Sequence, residues 1–145
     1  MIGRLGILPS WCHRWLAAGA AALLTAGCHH DVVPVSGRVT LNGQPLAGAV
    51  VTFQPMADRN SPRPPATGSV GHTDTQGRFS LRLIEPNQLG AAVGDHTVTI
   101  STAKGGSDAE PAKGERLPKA WRDGSKRFRV PLSGTSQADF NISAP

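Results

Sequence analysis

The side chains able to do chemistry are few and lie far apart. There are two cysteines, Cys12 and Cys28, and five histidines, of which His29 and His30 adjoin Cys28 while His72 and His96 stand alone further along. Nucleophilic catalysis by a serine or cysteine needs a general base within hydrogen-bonding reach, and neither His72 nor His96 sits in a sequence that builds such a pair. His96 falls in an alternating apolar pattern, which predicts a core position with its polar nitrogen satisfied; His72, just ahead of a turn, is expected to face water. His29 and His30 with the single carboxylate of Asp31 form no closed metal cage. Asp74 in Asp74-Thr-Gln-Gly77 brings one carboxylate where calcium needs several at alternate positions. The residues therefore predict a protein that is not an enzyme, with no catalytic set, no metal and no cofactor.

Cys28 is set differently, at the end of a leader. Residues 1–14 hold Arg4, His13 and Arg14 without an acid, and the twelve residues from Trp15 to Ala26 carry no charge. That is the n-region and h-region of a secretory signal peptide, shorter than the about 20 apolar residues a permanent span requires. The leader closes Leu24-Thr-Ala-Gly-Cys28, which resembles the bacterial lipobox, where small residues precede a cysteine that is lipidated and becomes the new N-terminus; Thr25 stands where Leu is commonest. The resemblance implies removal of residues 1–27, a lipid on Cys28 and a tether over residues 28–34, so that the membrane is the first partner. Several acyl chains on one residue suffice for stable anchoring, whereas one is marginal. The rival reading is ordinary cleavage after Ala26 or Gly27. By resemblance to enteric sorting rules, the lack of Asp directly after Cys28 points to the outer membrane, on its periplasmic or surface face. Both cysteines lie at or before the processing site, so no disulfide can form within the mature chain.

The charge is unevenly spread. The full chain carries +5, and loss of Arg4 and Arg14 with the leader leaves +3 on 118 residues. Lys113, Arg116, Lys119, Arg122, Lys126, Arg127 and Arg129 face only Glu115 and Asp123, so this segment alone holds +5 and the rest of the mature chain −2. An exported protein with so mild a balance points away from nucleic acid. The cluster points to an anionic partner: envelope polysaccharide, lipid headgroups or an acidic protein. Lys119, Trp121, Arg122 and Lys126 are the candidate ligand-binding residues, with Trp121 either stacking on a sugar or plugging the end of the fold. The competing explanation is a solvated loop and edge strand whose cations deter edge-to-edge pairing.

The elements that must position these residues are short strands. Seventeen glycines, twelve prolines and seven aromatics (three Trp, four Phe) in 145 residues argue for an all-β chain with many turns. Val35-Ser-Gly-Arg-Val-Thr-Leu41 alternates as a half-buried strand. Asn42-Gly43 is a tight-turn pair, and Gly48 to Gln54 supplies a second strand with Ala49, Val51 and Phe53 inward. Pro55 to Gly68 and Lys104 to Pro118 read as loops, and Ser69 to Thr73 as a weak edge strand. Asp74 to Gly77 makes a turn, after which Phe79, Leu81 and Leu83 alternate into the core. Gly94 to Ser101 turns His96, Val98 and Ile100 to one side. Phe128 to Leu132 and Gln137 to Ile142, around Ser133-Gly134-Thr135, are expected to close the domain as a hairpin. The count is about seven, the usual number for a single antiparallel β-sandwich.

Three of these stretches carry a family resemblance: Gly37 to Phe53, Thr73 to Phe79 and Gly94 to Ile100. Together they resemble a carboxypeptidase regulatory-like domain, with Leu117-Pro-Lys-Ala-Trp121 and Ala138-Asp-Phe-Asn-Ile142 similar to the ends of short bacterial lipoproteins built from one such domain. His96 and Trp121 stand where that family usually places an aromatic, commonly Tyr. The resemblance implies a transthyretin-like (prealbumin-like) β-sandwich over residues 35–145 and a non-catalytic interaction or structural role at the cell envelope. Position 38 is Arg, and its strand has no Lys for an isopeptide bond to Asn141 of the kind related pilin-type sandwiches form. The chain ends Asn-Ile-Ser-Ala-Pro145, unlike the closing tetrapeptide of transthyretin-type hydrolases. Binding of envelope carbohydrate or another anionic ligand is the second reading, and a small hydrolase of that type the last.

Overall fold

The structure, a computed structural model, describes residues 31–60, 64–104 and 114–145. Residues 1–27, Cys28, His29, His30 and Lys113 lie outside the described residues.

The first half forms its strands where the alternation places them. After β1 (Val32–Val33), β2 (Ser36–Leu41) follows Val35 and buries Val39, with Arg38 in solvent. Asn42 and Gly43 take φ of 50° and 79°, the left-handed pair that a two-residue turn requires. They fold β3 (Gln44–Pro45) back onto β2, with Leu41 opposite Gln44. The chain then leaves that sheet, and β4 (Val50–Pro55) enters another, turning Val51 and Phe53 into the core. β5 (Ser69–His72) pairs with β4, and the Asp74–Gly77 turn leads to β6 (Arg78–Ser80) and β7 (Arg82–Leu83). Gly77, at φ 72°, is held where a Cβ would collide with the Val39 carbonyl, while its own carbonyl accepts the Val39 N–H at 2.8 Å.

The second half adds β8 (Ala91–Ala92), β9 (Gly94–Ser101), a 3-10 turn at Lys119–Trp121, β10 (Lys126–Val130) and β11 (Phe140–Ile142). One antiparallel sheet has the order β10-β9-β4-β5-β7, and a second is built on β2, with β11, β3 and β6 as its partners. β1 and β8 form a two-stranded antiparallel ladder. Core residues come from both sheets, Phe53, Val98, Ile100 and Val130 from one and Val39, Phe79, Phe140 and Ile142 from the other. The fold is thus all-β and two-layered, consistent with a β-sandwich.

Three local expectations change. The chain has eleven strand segments among the described residues, not seven, because the stretch from Arg78 to Leu83 changes sheet at Leu81 and four segments (β1, β3, β7 and β8) are only two residues long. Ser69 to His72 is no edge: β5 lies between β4 and β7. The closing hairpin is absent, since β10 pairs antiparallel with β9 while β11 pairs parallel with β2, Phe140 opposite Val39. The reason is Pro131, which has no N–H to continue a ladder. The turn that follows it docks on the start of β2 instead, with the Thr135 N–H donating to Pro34 at 3.0 Å and the Ser36 N–H to Thr135 at 2.9 Å. Phe128 and Phe140 thereby meet in the core from opposite layers, their ring centroids 6.0 Å apart.

Candidate interaction surface

The basic segment is held by an acid. Glu115 returns the chain to the end of β9 and its carboxylate gathers donors: Ser101 Oγ at 2.6 Å, Thr102 Oγ1 at 3.0 Å, and the backbone N–H groups of Arg116 and Leu117 at 2.9 and 2.8 Å. Arg122 Nε stands 3.8 Å away. Burial pushes the Glu115 carboxyl up, but the hydrogen bonds from Ser101, Leu117 and Thr102 outweigh it and bring it down to about 2. In the sequence Glu115 counted only as one of two acids among seven cations; nothing in residue type distinguished it from Asp123.

The depressed value links Glu115 to acid stability. A carboxylate held below its unfolded value of 4.5 gives its full stabilisation above pH 4.5 and loses it as pH falls toward 2. Glu115→Gln is expected to cost about 2 kcal/mol at pH 7, in the range for hydrogen bonds to a charged group, and to flatten the loss between pH 4.5 and 2. Urea unfolding of both proteins across that window checks this. Parallel pH profiles would show that the carboxylate is not the group that matters.

From Leu117, which is buried, the chain makes its 3-10 turn, with the Trp121 N–H donating to Pro118 at 3.0 Å and the Arg122 N–H to Lys119 at 2.8 Å. Asp123 and Ser125 close it: the Ser125 N–H donates to Asp123 Oδ1 at 2.9 Å and Ser125 Oγ to Ala120 O at 3.0 Å. Trp121 is half-buried and meets the Phe140 ring edge-on, centroids 5.9 Å apart. Lys126 Nζ lies 4.8 Å from its ring centroid, a cation–π distance. Trp121 thus packs on the core and carries a cation on one face. Lys119 and Arg122 are exposed on the turn itself. Further along β10, Arg129 pairs with Asp95 at 3.2 Å, and Arg127 donates to the Gly124 carbonyl at 2.6 Å. Three of the four candidate residues therefore share one turn, and the fourth is joined to it through the indole.

The histidines separate. His72 is exposed and lines a shallow groove of about 530 Å³ with Arg38, Asp74, Arg78 and Asp139. His96 is buried in the core beside Phe53, ring centroids 5.7 Å apart. Its Nδ1 lies 3.0 Å from the Gly94 carbonyl and so carries the proton, while Nε2 has no hydrogen-bond partner among the described residues. The expected satisfied nitrogen is therefore only one of two. Burial pushes its pKa down, against the Gly94 carbonyl and the Asp95 charge, which raise it. Asp74 is engaged within its own turn: Oδ1 accepts the Gln76 and Arg78 N–H groups at 2.8 and 2.9 Å, and Oδ2 meets Arg78 Nε at 3.1 Å.

No protein-family model, no curated protein and no solved structure matches this chain.

Proposed function

We propose that this protein is a lipid-anchored, non-catalytic interaction or structural domain of the cell envelope, held at the outer membrane through Cys28 and built as a carboxypeptidase regulatory-like β-sandwich. The observation that carries the reading is where the fold starts. β1 begins at Val32 and the carbonyl of Asp31 already accepts the Val93 N–H at 2.9 Å, so the described fold extends to within four residues of the cysteine that ends the leader. Residues 31–34, expected as part of the tether, belong to the fold through β1 and the bonds of Asp31 and Pro34, so an anchor at Cys28 would hold the domain close to the membrane. The family reading is supported by the order of its motif stretches in an all-β chain: β2, the Asn42-Gly43 turn, β4, and the Asp74 turn into β6. The mass of the protein extracted from membranes tests the anchor. Expected is a chain that starts at Cys28 with acyl groups on that residue, and an unmodified N-terminus at any position would defeat the proposal.

The turn bearing Lys119 and Arg122, with Lys126 over Trp121, favours a second reading in which this surface binds an anionic envelope polysaccharide. Changing Lys119, Arg122 and Lys126 together to Glu is expected to abolish binding to isolated polysaccharide at low salt. Contacts of this kind weaken as the screening length falls from about 10 Å at 0.1 M salt to about 3 Å at 1 M. Binding that survives both the reversal and the salt would reduce the cations to protection of the β10 edge.

A further inference from the structure

The end of the sandwich at which the described chain begins is also where its exposed large apolar side chains lie. Strand register fixes which residues share that end. β4 finishes at Pro55 opposite His96, and the Met56 N–H donates to the Asp95 carbonyl at 2.9 Å. β7 finishes at Leu83 opposite Ser69, and the Ile84 N–H donates to Gly68 at 2.9 Å. β10 finishes at Val130 opposite Gly94, just before Leu132. Leu89 bridges Arg82, beside the same strand end. Met56, Ile84, Leu89 and Leu132 are 43%, 62%, 61% and 73% exposed, and they are the exposed large hydrophobics among the described residues. Asp31 and Pro34 join them there through their bonds to Val93 and Thr135.

We propose that this end, formed by residues 31–34, 56–59, 84–89 and 131–134, is a membrane-contact surface whose apolar side chains rest in the interfacial layer of the bilayer that holds Cys28. The proposal depends on the anchoring reading. Asp31 lies three residue steps from Cys28, with only His29 and His30 between them, and three steps of chain reach at most about 11 Å. The eight residues of β9 alone run roughly 26 Å to the opposite end, so an acylated Cys28 holds the apolar end against the lipid and keeps the other away from it. Isolated exposed apolar residues are ordinary, but four gathered on loops at one end mark a contact surface.

The charges at this end are mixed. Asp31, Asp58 and Glu85 stand with Arg59 and Arg82, and Asp95 is paired with Arg129. The contact is therefore apolar and insensitive to salt. The turn at Lys119 and Arg122, tied through Glu115 to the far end of β9 at Ser101, faces away from that bilayer, which removes the bilayer's own headgroups from its ligands.

Cysteines introduced singly at Ile84, at Leu132 and, on the far-end turn, at Gln76 test this in the full-length chain carrying Cys12→Ser, expressed and processed in cells. Each is spin-labelled in isolated membranes, and its collisions with oxygen, which concentrates in lipid, are compared with those of a water-soluble nickel chelate. Expected is an oxygen-to-nickel ratio above one at Ile84 and Leu132 and a reversed ratio at Gln76. Water-like ratios at all three sites on a protein whose Cys28 is acylated would overturn the contact surface and leave the anchor intact. Labelling of Cys28 itself would overturn the anchor and the contact surface together.

Discussion

Phe53→Ala is expected to destabilise the domain by about 3–5 kcal/mol, the range for truncating a fully buried Phe. Phe53 is 0% exposed, and its ring has Phe128, His96 and Phe140 at centroid distances of 5.4, 5.7 and 6.1 Å. These neighbours come from both layers, so the gap left by the ring cannot be closed by moving one strand. Phe79→Ala, with Phe140 at 6.3 Å, belongs in the same range. A single domain has only about 5–15 kcal/mol in hand, and no disulfide limits the unfolded chain here, so either variant is expected to lie near its unfolding threshold at 37 °C. Equilibrium urea unfolding of residues 31–145 at pH 7 measures the cost. A midpoint unchanged from wild type would mean that neither ring is part of the core.

Phe53 was legible in the sequence because its strand keeps strict alternation on one buried face. The same rule placed Phe79, Leu81 and Leu83, and His96 with Val98 and Ile100, and all six are buried. Where the sequence misleads, the cause is local. β5 reads as a weak edge because small Ser69 and Gly71 occupy its inward face: a Cβ at Gly71 would press on the carbonyl of Ser80, where the chain crosses between sheets. The interior position of β5 is therefore written in close backbone approach, which leaves no hydrophobic pattern. The missing hairpin has a similar origin, because turn-forming residues between two apolar runs predict pairing, yet pairing depends on which edge lies open. Here the parallel ladder of β11 with β2 was open to Phe140, and alternation does not encode it.

The candidate surface was legible as a charge cluster and little more. Residue types identified Lys119, Arg122 and Lys126, and left Trp121 between stacking and plugging; its edge-on contact with Phe140 is a tertiary fact. Glu115 was hidden, because its importance lies in Ser101 and Thr102 thirteen or fourteen residues back. The apolar end was hidden for the same reason: Met56, Ile84, Leu89 and Leu132 are scattered in sequence and meet only through strand register.

Cys28→Ala is expected to release the protein from membranes completely. The account rests on attachment through this residue. Among the described residues no helix is long and apolar enough to cross a membrane, and loop-tip contacts of a few side chains partition reversibly, so repeated washing removes a domain held by them alone. A covalent lipid with several chains resists that washing, since each buried methylene adds about 0.8 kcal/mol. Fractionation of cells expressing wild type and Cys28→Ala, with the membranes washed repeatedly at high salt, is the most direct measurement. The account predicts wild type in the membrane pellet and the variant in the soluble fraction. A variant that stays in the washed pellet as fully as wild type would contradict it.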